Sequence, residues 1–229
     1  MARYQFGADF QALAGLLASR FSCRAFEPGP VPRLTIRRIL DAAQRTPSWC
    51  NAQPWTLYLA SGPRLERLRQ AMFELAPTAP GQPDLAWPSE YRGVYQERRR
   101  ECGWGLYESL GIAKGDRAAS AAQAGENFRM FGAPHVAIVT SDAALGTYGA
   151  IDCGAYVGQF MLAAWSLGVA SIAQASLAAH PRLLREHLDI PADRLVVCGI
   201  SFGYADINHP ANRFRTRRAD AAECVVWRD

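Results

Sequence analysis

The spacing of apolar residues divides the chain into helices and strands. Leu13, Leu16 and Leu17 recur at helical intervals and predict a helix over Asp9–Arg20. Ile36, Ile39, Leu40 and Ala43 repeat the pattern and predict a second helix, Leu34–Thr46, which Pro47 ends. Between the two, the proline-rich stretch Glu27–Pro32 reads as a loop. Trp55–Ala60 reads as a strand. Pro63–Leu75 reads as a helix with proline in its first turn, where a missing N–H costs little. Pro77–Pro88 has no period and predicts irregular backbone. Tyr91–Tyr107 is highly charged, with Arg98, Arg99 and Arg100 in a row, and predicts a helix with a solvated face. Asp116–Met130 predicts another helix. His135–Thr140 and Leu195–Phe202 are short continuous apolar runs, as buried strands are. Ile151–Leu167 predicts a long, nearly all-apolar helix. Its Gly154 and Gly158 lie four apart, a spacing that lets a second backbone come close. This is the pattern of a central helix packed on several sides, or of a subunit interface. Arg182–Leu188 reads as a helix and Val225–Trp227 as a short apolar terminal segment.

Strands and helices mix without regular β-α-β alternation, which predicts an α+β fold rather than a doubly wound sheet. With 229 residues and no internal repeat, we expect one domain over 1–229. The apolar fraction of 49% belongs to a globular chain. A net charge of +4, with no basic stripe interleaved with aromatics, gives no sign of nucleic-acid binding. No run is long enough to span a membrane, and no secretory leader pattern opens the chain. The six cysteines form no C-x-x-C pair and no zinc-ligand spacing with histidine. The expectation is a reduced, cytoplasmic protein without a metal site. Cys50 reads as a buried, inert thiol. G-x-S-x-G and G-x-G-x-x-G motifs are both missing, so neither a serine elbow nor a separate dinucleotide-binding domain is expected.

Two short segments carry the candidate chemistry. In R-F-S-C-R-A-F, the odd spacing of Arg20, Ser22 and Arg24 would point all three to one side of an extended backbone. They could embrace a phosphate with charge-assisted bonds, or cap the end of the first helix. In P-S-W-C-N-A-Q-P-W, Asn51 and Gln53 offer both donors and acceptors. They could face a flat heterocycle, or satisfy their own loop. One ligand with a phosphate and such a ring is flavin mononucleotide, FMN. Arg213, Arg215, Arg217 and Arg218 form a second basic cluster, either a ligand site or a solvated run. Because Lys114 is the only lysine, any phosphate contact must use arginine.

These segments, with L-Y-E-S-L-G-I, N-F-R-M-F-G-A-P, A-Q-A-S-L, G-Y-A-D and N-R-F-R-T-R-R-A in that order, resemble the nitroreductase family along nearly the whole chain. The resemblance implies an α+β sandwich with a mostly antiparallel central sheet flanked by helices. It implies a homodimer with FMN at the subunit interface and NADH or NADPH as electron donor. It places Arg20, Phe21, Ser22 and Arg24 at the FMN, together with Asn51 and Gln53. It maps the terminal R-x-x-R to Arg215 and Arg218. It sets Ala173, Gln174 and Ala175 against the ring, where many members carry glycine. The implied activity is ping-pong hydride transfer through the flavin to nitroaromatics, quinones or related small acceptors, with no catalytic side chain because the flavin carries the chemistry. Reductive dehalogenation or dehydrogenation on the same scaffold, and a flavin carrier or sensor without turnover, are the alternatives.

Overall fold

The computed structural model describes residues 7–228. Its sheet is built from β1 (Trp55–Ser61), β2 (His135–Asp142), β3 (Ala170–Gln174) and β4 (Arg194–Gly203). The strands pair antiparallel throughout, in the order β1-β2-β4-β3. The central strand β2 is buried from His135 to Ser141, which is why it reads as an unbroken apolar run rather than an alternating one. Helices cover both faces. On one lie α2 (Arg33–Ala43) and α6 (Gly146–Ser166), where Ile39, Ala43, Tyr156 and Phe160 close over Val139, Ile200 and Phe202. On the other lie α3 (Gly62–Leu75) and α7 (Pro181–Leu188), where Leu65, Leu68, Met72 and Leu184 close over Val136, Ile138 and Val196. This is the α+β arrangement with an antiparallel sheet that the sequence predicts.

The remaining helices are α1 (Ala8–Ser19), α4 (Gly93–Ser109) and α5 (Arg117–Gly125). The last stops well before Met130. Met130, Phe131 and Gly132 have φ of 55°, 52° and 76°, a left-handed run that no right-handed helix can enter. Arg69 brackets this turn, donating to the carbonyls of Arg129 and Ala133. Strand β3 is short and rich in small residues, so it reads in sequence only as a buried apolar segment. The stretch from Pro77 to Pro88 is irregular yet anchored. There Asp84 accepts the Val196 N–H and pairs with Arg185, both at 2.7 Å. Among the described residues no helix is long and apolar enough to cross a membrane.

Two helices leave apolar surface uncovered. α1 buries no residue, and Phe10, Leu13 and Leu17 lie exposed. α6 buries one side only; Tyr148, Ile151, Gly154 and Ala155 face outward. A Cβ built at Gly154 or Gly158 would meet nothing within 4 Å among the described residues outside its own helix turn.

Candidate active site

After α1 the chain is extended. Ser22 bridges to Ser171 and the Cys23 N–H donates to the Ser171 carbonyl, so the segment runs beside β3. The alternation of an extended strand buries Cys23 and leaves Arg20, Ser22 and Arg24 partly exposed. The C-terminal arm is stapled to this segment by Asn212. Its side-chain oxygen accepts the Arg24 N–H at 2.7 Å, and its amide donates to the carbonyls of Ala25 and Asp206. Asn212 is only 3% exposed. Its importance lies in a contact across 188 positions, which no local pattern signals.

The staple brings the two basic clusters together. Arg20 lies close enough to Arg218 for that charge, after burial, to push its pKa below the usual value. Arg215 stacks its guanidinium 3.9 Å above the Phe21 ring, and Phe21 packs edge-on against Trp165. Among the described residues Arg20, Arg215 and Arg218 have no carboxylate partner. Arg217 differs. It donates to Glu101 at 2.7 Å, and that bond raises its pKa. Arg24 is the more buried arginine. Its guanidinium donates to the Ser22 carbonyl, as Arg215 and Arg218 donate to carbonyls beside them, and burial lowers its pKa, partly offset by the nearby Cys102 and Cys23. Like charges without a carboxylate partner among the described residues have the chemistry to accept an anion.

The amide loop follows α2. Ser48 organises it, accepting the Gln53 N–H on its hydroxyl and the Asn51 N–H on its carbonyl. Cys50, Asn51 and Gln53 all have positive φ, of 51°, 55° and 48°. Such strain in non-glycine residues gathers at functional sites. A relay of fixed polarity supports the loop. The Trp55 indole can only donate, and it donates to the Gln44 oxygen. The Gln44 amide therefore donates to Gln53, whose own amide donates to the Asn51 carbonyl. Asn51 and Gln53 are exposed, as is Cys50, contrary to the buried thiol expected from sequence. The left-handed turn that lifts Asn51 out of the loop lifts Cys50 with it.

At the end of β3, Ala173 and Ala175 are exposed while Gln174 between them is 3% exposed. The Gln174 side chain is thus directed inward, where Ser201 donates to its oxygen and its amide donates to the Asn127 carbonyl. Ala173 and Ala175 are the positions exposed on the outer side. Two small exposed residues suit the edge of a flat ring.

Helix α6 sets the distance between the two halves of this site. Near its start Asp152 accepts the Trp49 N–H and Tyr148 packs on Trp49. Near its end Trp165 donates to Ser19 and packs on Phe21. Asp152 and Trp165 are about 20 Å apart at the helical rise. Within one chain, the amide loop and the arginine cluster occupy opposite ends of one helix.

Residues 17–204 match the sequence profile of the nitroreductase family. The chain belongs to that family. Similar to it are the 4-nitrobenzoate reductase of Pseudomonas putida and nitroreductase NfnB of Mycolicibacterium smegmatis. Each is 36% identical, the first over 92% of this chain and 91% of its own length, the second over 93% and 91%. The crystal structure of the FMN-dependent NfnB from Mycobacterium smegmatis, in complex with NADPH, superposes with a TM-score of 0.91. The alignment covers 96% of this chain and 99% of that one, at 34% identity. An FMN- and NADPH-dependent NfnB from a Sphingopyxis strain superposes with a TM-score of 0.90 at 32% identity, over 94% and 98%.

Proposed function

We propose that this protein is an FMN-dependent NAD(P)H oxidoreductase that reduces nitroaromatics, quinones or related small acceptors by a ping-pong cycle. The observation that carries the reading is the pair Arg20 and Arg218, close enough for their charges to interact and without a carboxylate partner among the described residues, which a phosphate would suit. Relatives named for nitrobenzoate reduction and for dependence on FMN and NADPH support it. FMN, when bound, supplies the redox chemistry. Arg20, Arg218 and the Ser22 hydroxyl hold its phosphate. Phe21 fixes Arg215 by stacking, and Arg24 completes the basic wall from its buried side. Asn51 faces the ring, with Gln53 as its support and further contact. Ala173 and Ala175 let the ring lie against the backbone around Gln174. No side chain need act as acid or base, because water can deliver the protons.

The working form is a homodimer, in a single domain over 1–229, in the cytoplasm. A two-fold axis through the Gly154–Gly158 region exchanges the ends of α6. It carries the amide loop of one chain to the arginine cluster of the other, which the separation of about 20 Å within one chain forbids. The exposed faces of α1 and α6 supply the apolar area such an interface needs.

The test is a visible spectrum of the purified protein, repeated anaerobically with NADPH and then a nitroaromatic acid. A flavin spectrum that bleaches and then returns is expected, with parallel double-reciprocal lines at steady state. Flavin that neither NADPH nor NADH reduces would point to a carrier. A protein that fails to bind FMN would overturn the phosphate assignment.

A further inference from the structure

We propose that Asn127 and Gln174 are positioning residues that hold the Ala173–Ser176 backbone against the flavin ring and so set the rate of its reduction. This rests on the FMN reading above. Three short bonds, with a longer one of 3.4 Å from the Gln174 amide to the Asn127 side-chain oxygen, form one network beneath the loop, buried at Ser201 and partly buried at Asn127. Ser201 donates to the Gln174 oxygen at 2.5 Å, and the Gln174 amide donates to the Asn127 carbonyl at 2.9 Å. Ser176 donates to the Asn127 side-chain oxygen at 3.2 Å. The polarity has no freedom. A backbone carbonyl can only accept, so the Gln174 amide must face Asn127 and its oxygen must face Ser201. Ser201 is fully buried, and a buried network of this kind rigidifies only while every member is paired.

The network acts from inside on a backbone presented outside. Gln174 points inward while its neighbours Ala173 and Ala175 are exposed. Ala175 and Ser176 open a 3₁₀ turn, Ala175–Ala179, so their N–H groups have no acceptor within it. These donors are aimed by whatever grips the loop from below. The grip is itself held rigidly. Asn127 precedes the left-handed run Met130–Gly132, whose ends Arg69 ties by its bonds to Arg129 and Ala133. Backbone strain of this kind persists only where the surroundings over-determine it. Fixed donors stabilise negative charge that develops on a bound ring better than donors that must reorganise. Ala175 has no polar side chain to brace the loop, so the bracing reaches it from Asn127 through Ser176 and Gln174.

The phosphate clamp and this network are separate, which makes the proposal testable in the FMN-loaded protein. Asn127→Ala keeps the backbone carbonyl that Gln174 needs and removes the side-chain oxygen that accepts from Ser176 and, at 3.4 Å, from Gln174, together with the amide's bond to the Ala124 carbonyl. FMN affinity should stay within twofold of the parent. The rate of flavin bleaching at saturating NADPH should fall about three- to tenfold, and the flavin midpoint potential should drop. Ser176→Ala should lose part of the same rate, and the double variant should add nothing beyond Asn127→Ala. Gln174→Met should lower the rate more. Unchanged bleaching rate and potential in Asn127→Ala with FMN retained would overturn the proposal while leaving the FMN reading intact. So would losses that add in the double variant. Failure of the parent protein to bind FMN would defeat both.

Discussion

Arg20 and Arg218 repel one another, a cost that a bound phosphate would offset. Arg20→Ala should raise the melting temperature without FMN and weaken FMN binding about ten- to a hundredfold, the effect of losing a charged hydrogen bond of about 1.5–3 kcal/mol. Differential scanning fluorimetry with and without FMN measures both signs. His135 gives a pH dependence. Its Nε2 accepts the Val31 N–H at 2.9 Å, its ring stacks on Phe202, and burial lowers its pKa. The native state therefore favours the neutral ring. This contribution is fully present above the unfolded value near 6.5 and is lost as pH falls from there through the lower folded value. His180, lowered by burial as well, acts in the same sense. Melting temperature should drop between pH 7 and pH 5, and His135→Leu should flatten that slope while lowering the plateau. The arginines and amides of the candidate site are legible as residue types in three short motifs. Asn212, Gln44 and Asn127 are not, because each matters through a partner that only the folded chain brings near.

At the scale of elements, α6 reads differently from either side. Its inner face, with Tyr156 and Phe160, belongs to the core. Its Gly154 and Gly158 have room for a Cβ among the described residues. Gly158→Leu should leave the monomer folded, since the space is open, but separate the dimer and lower FMN affinity at least tenfold. Light scattering coupled to size exclusion, read beside circular dichroism, decides this; a dimer that survives would move the interface elsewhere. The periodic helices α2, α3 and α7 and the apolar strands β2 and β4 match their sequence signals closely. The elements that do not are β3, too short and small-residue-rich to show a period, and the end of α5, where three left-handed residues override a helical composition.

For the whole molecule, the question is which chain supplies which half of a site. Mixing an Arg218→Ala chain with an Asn51→Ala chain separates the possibilities. If each site draws arginines from one subunit and amides from the other, the mixed dimer has one intact site and one doubly damaged site. About half the flavin should then bind with parental affinity. If one chain supplies both halves, no intact site forms and the tight-binding fraction vanishes. Isothermal titration with FMN on the purified mixed dimer distinguishes these results.

The sequence by itself determined the α+β class, most of the elements and the residue types that could meet a phosphate and a ring. Those depend on local period and composition, which survive in one dimension. The tertiary structure decided what those residues can do together. It set Arg218 beside Arg20 and gave Arg217 to Glu101. It turned Gln174 inward, lifted Cys50 and Asn51 out of their loop, and held the amides a helix-length from the arginines. Each of these follows from long-range pairing, whose partners are fixed only when the sheet and its covering helices close.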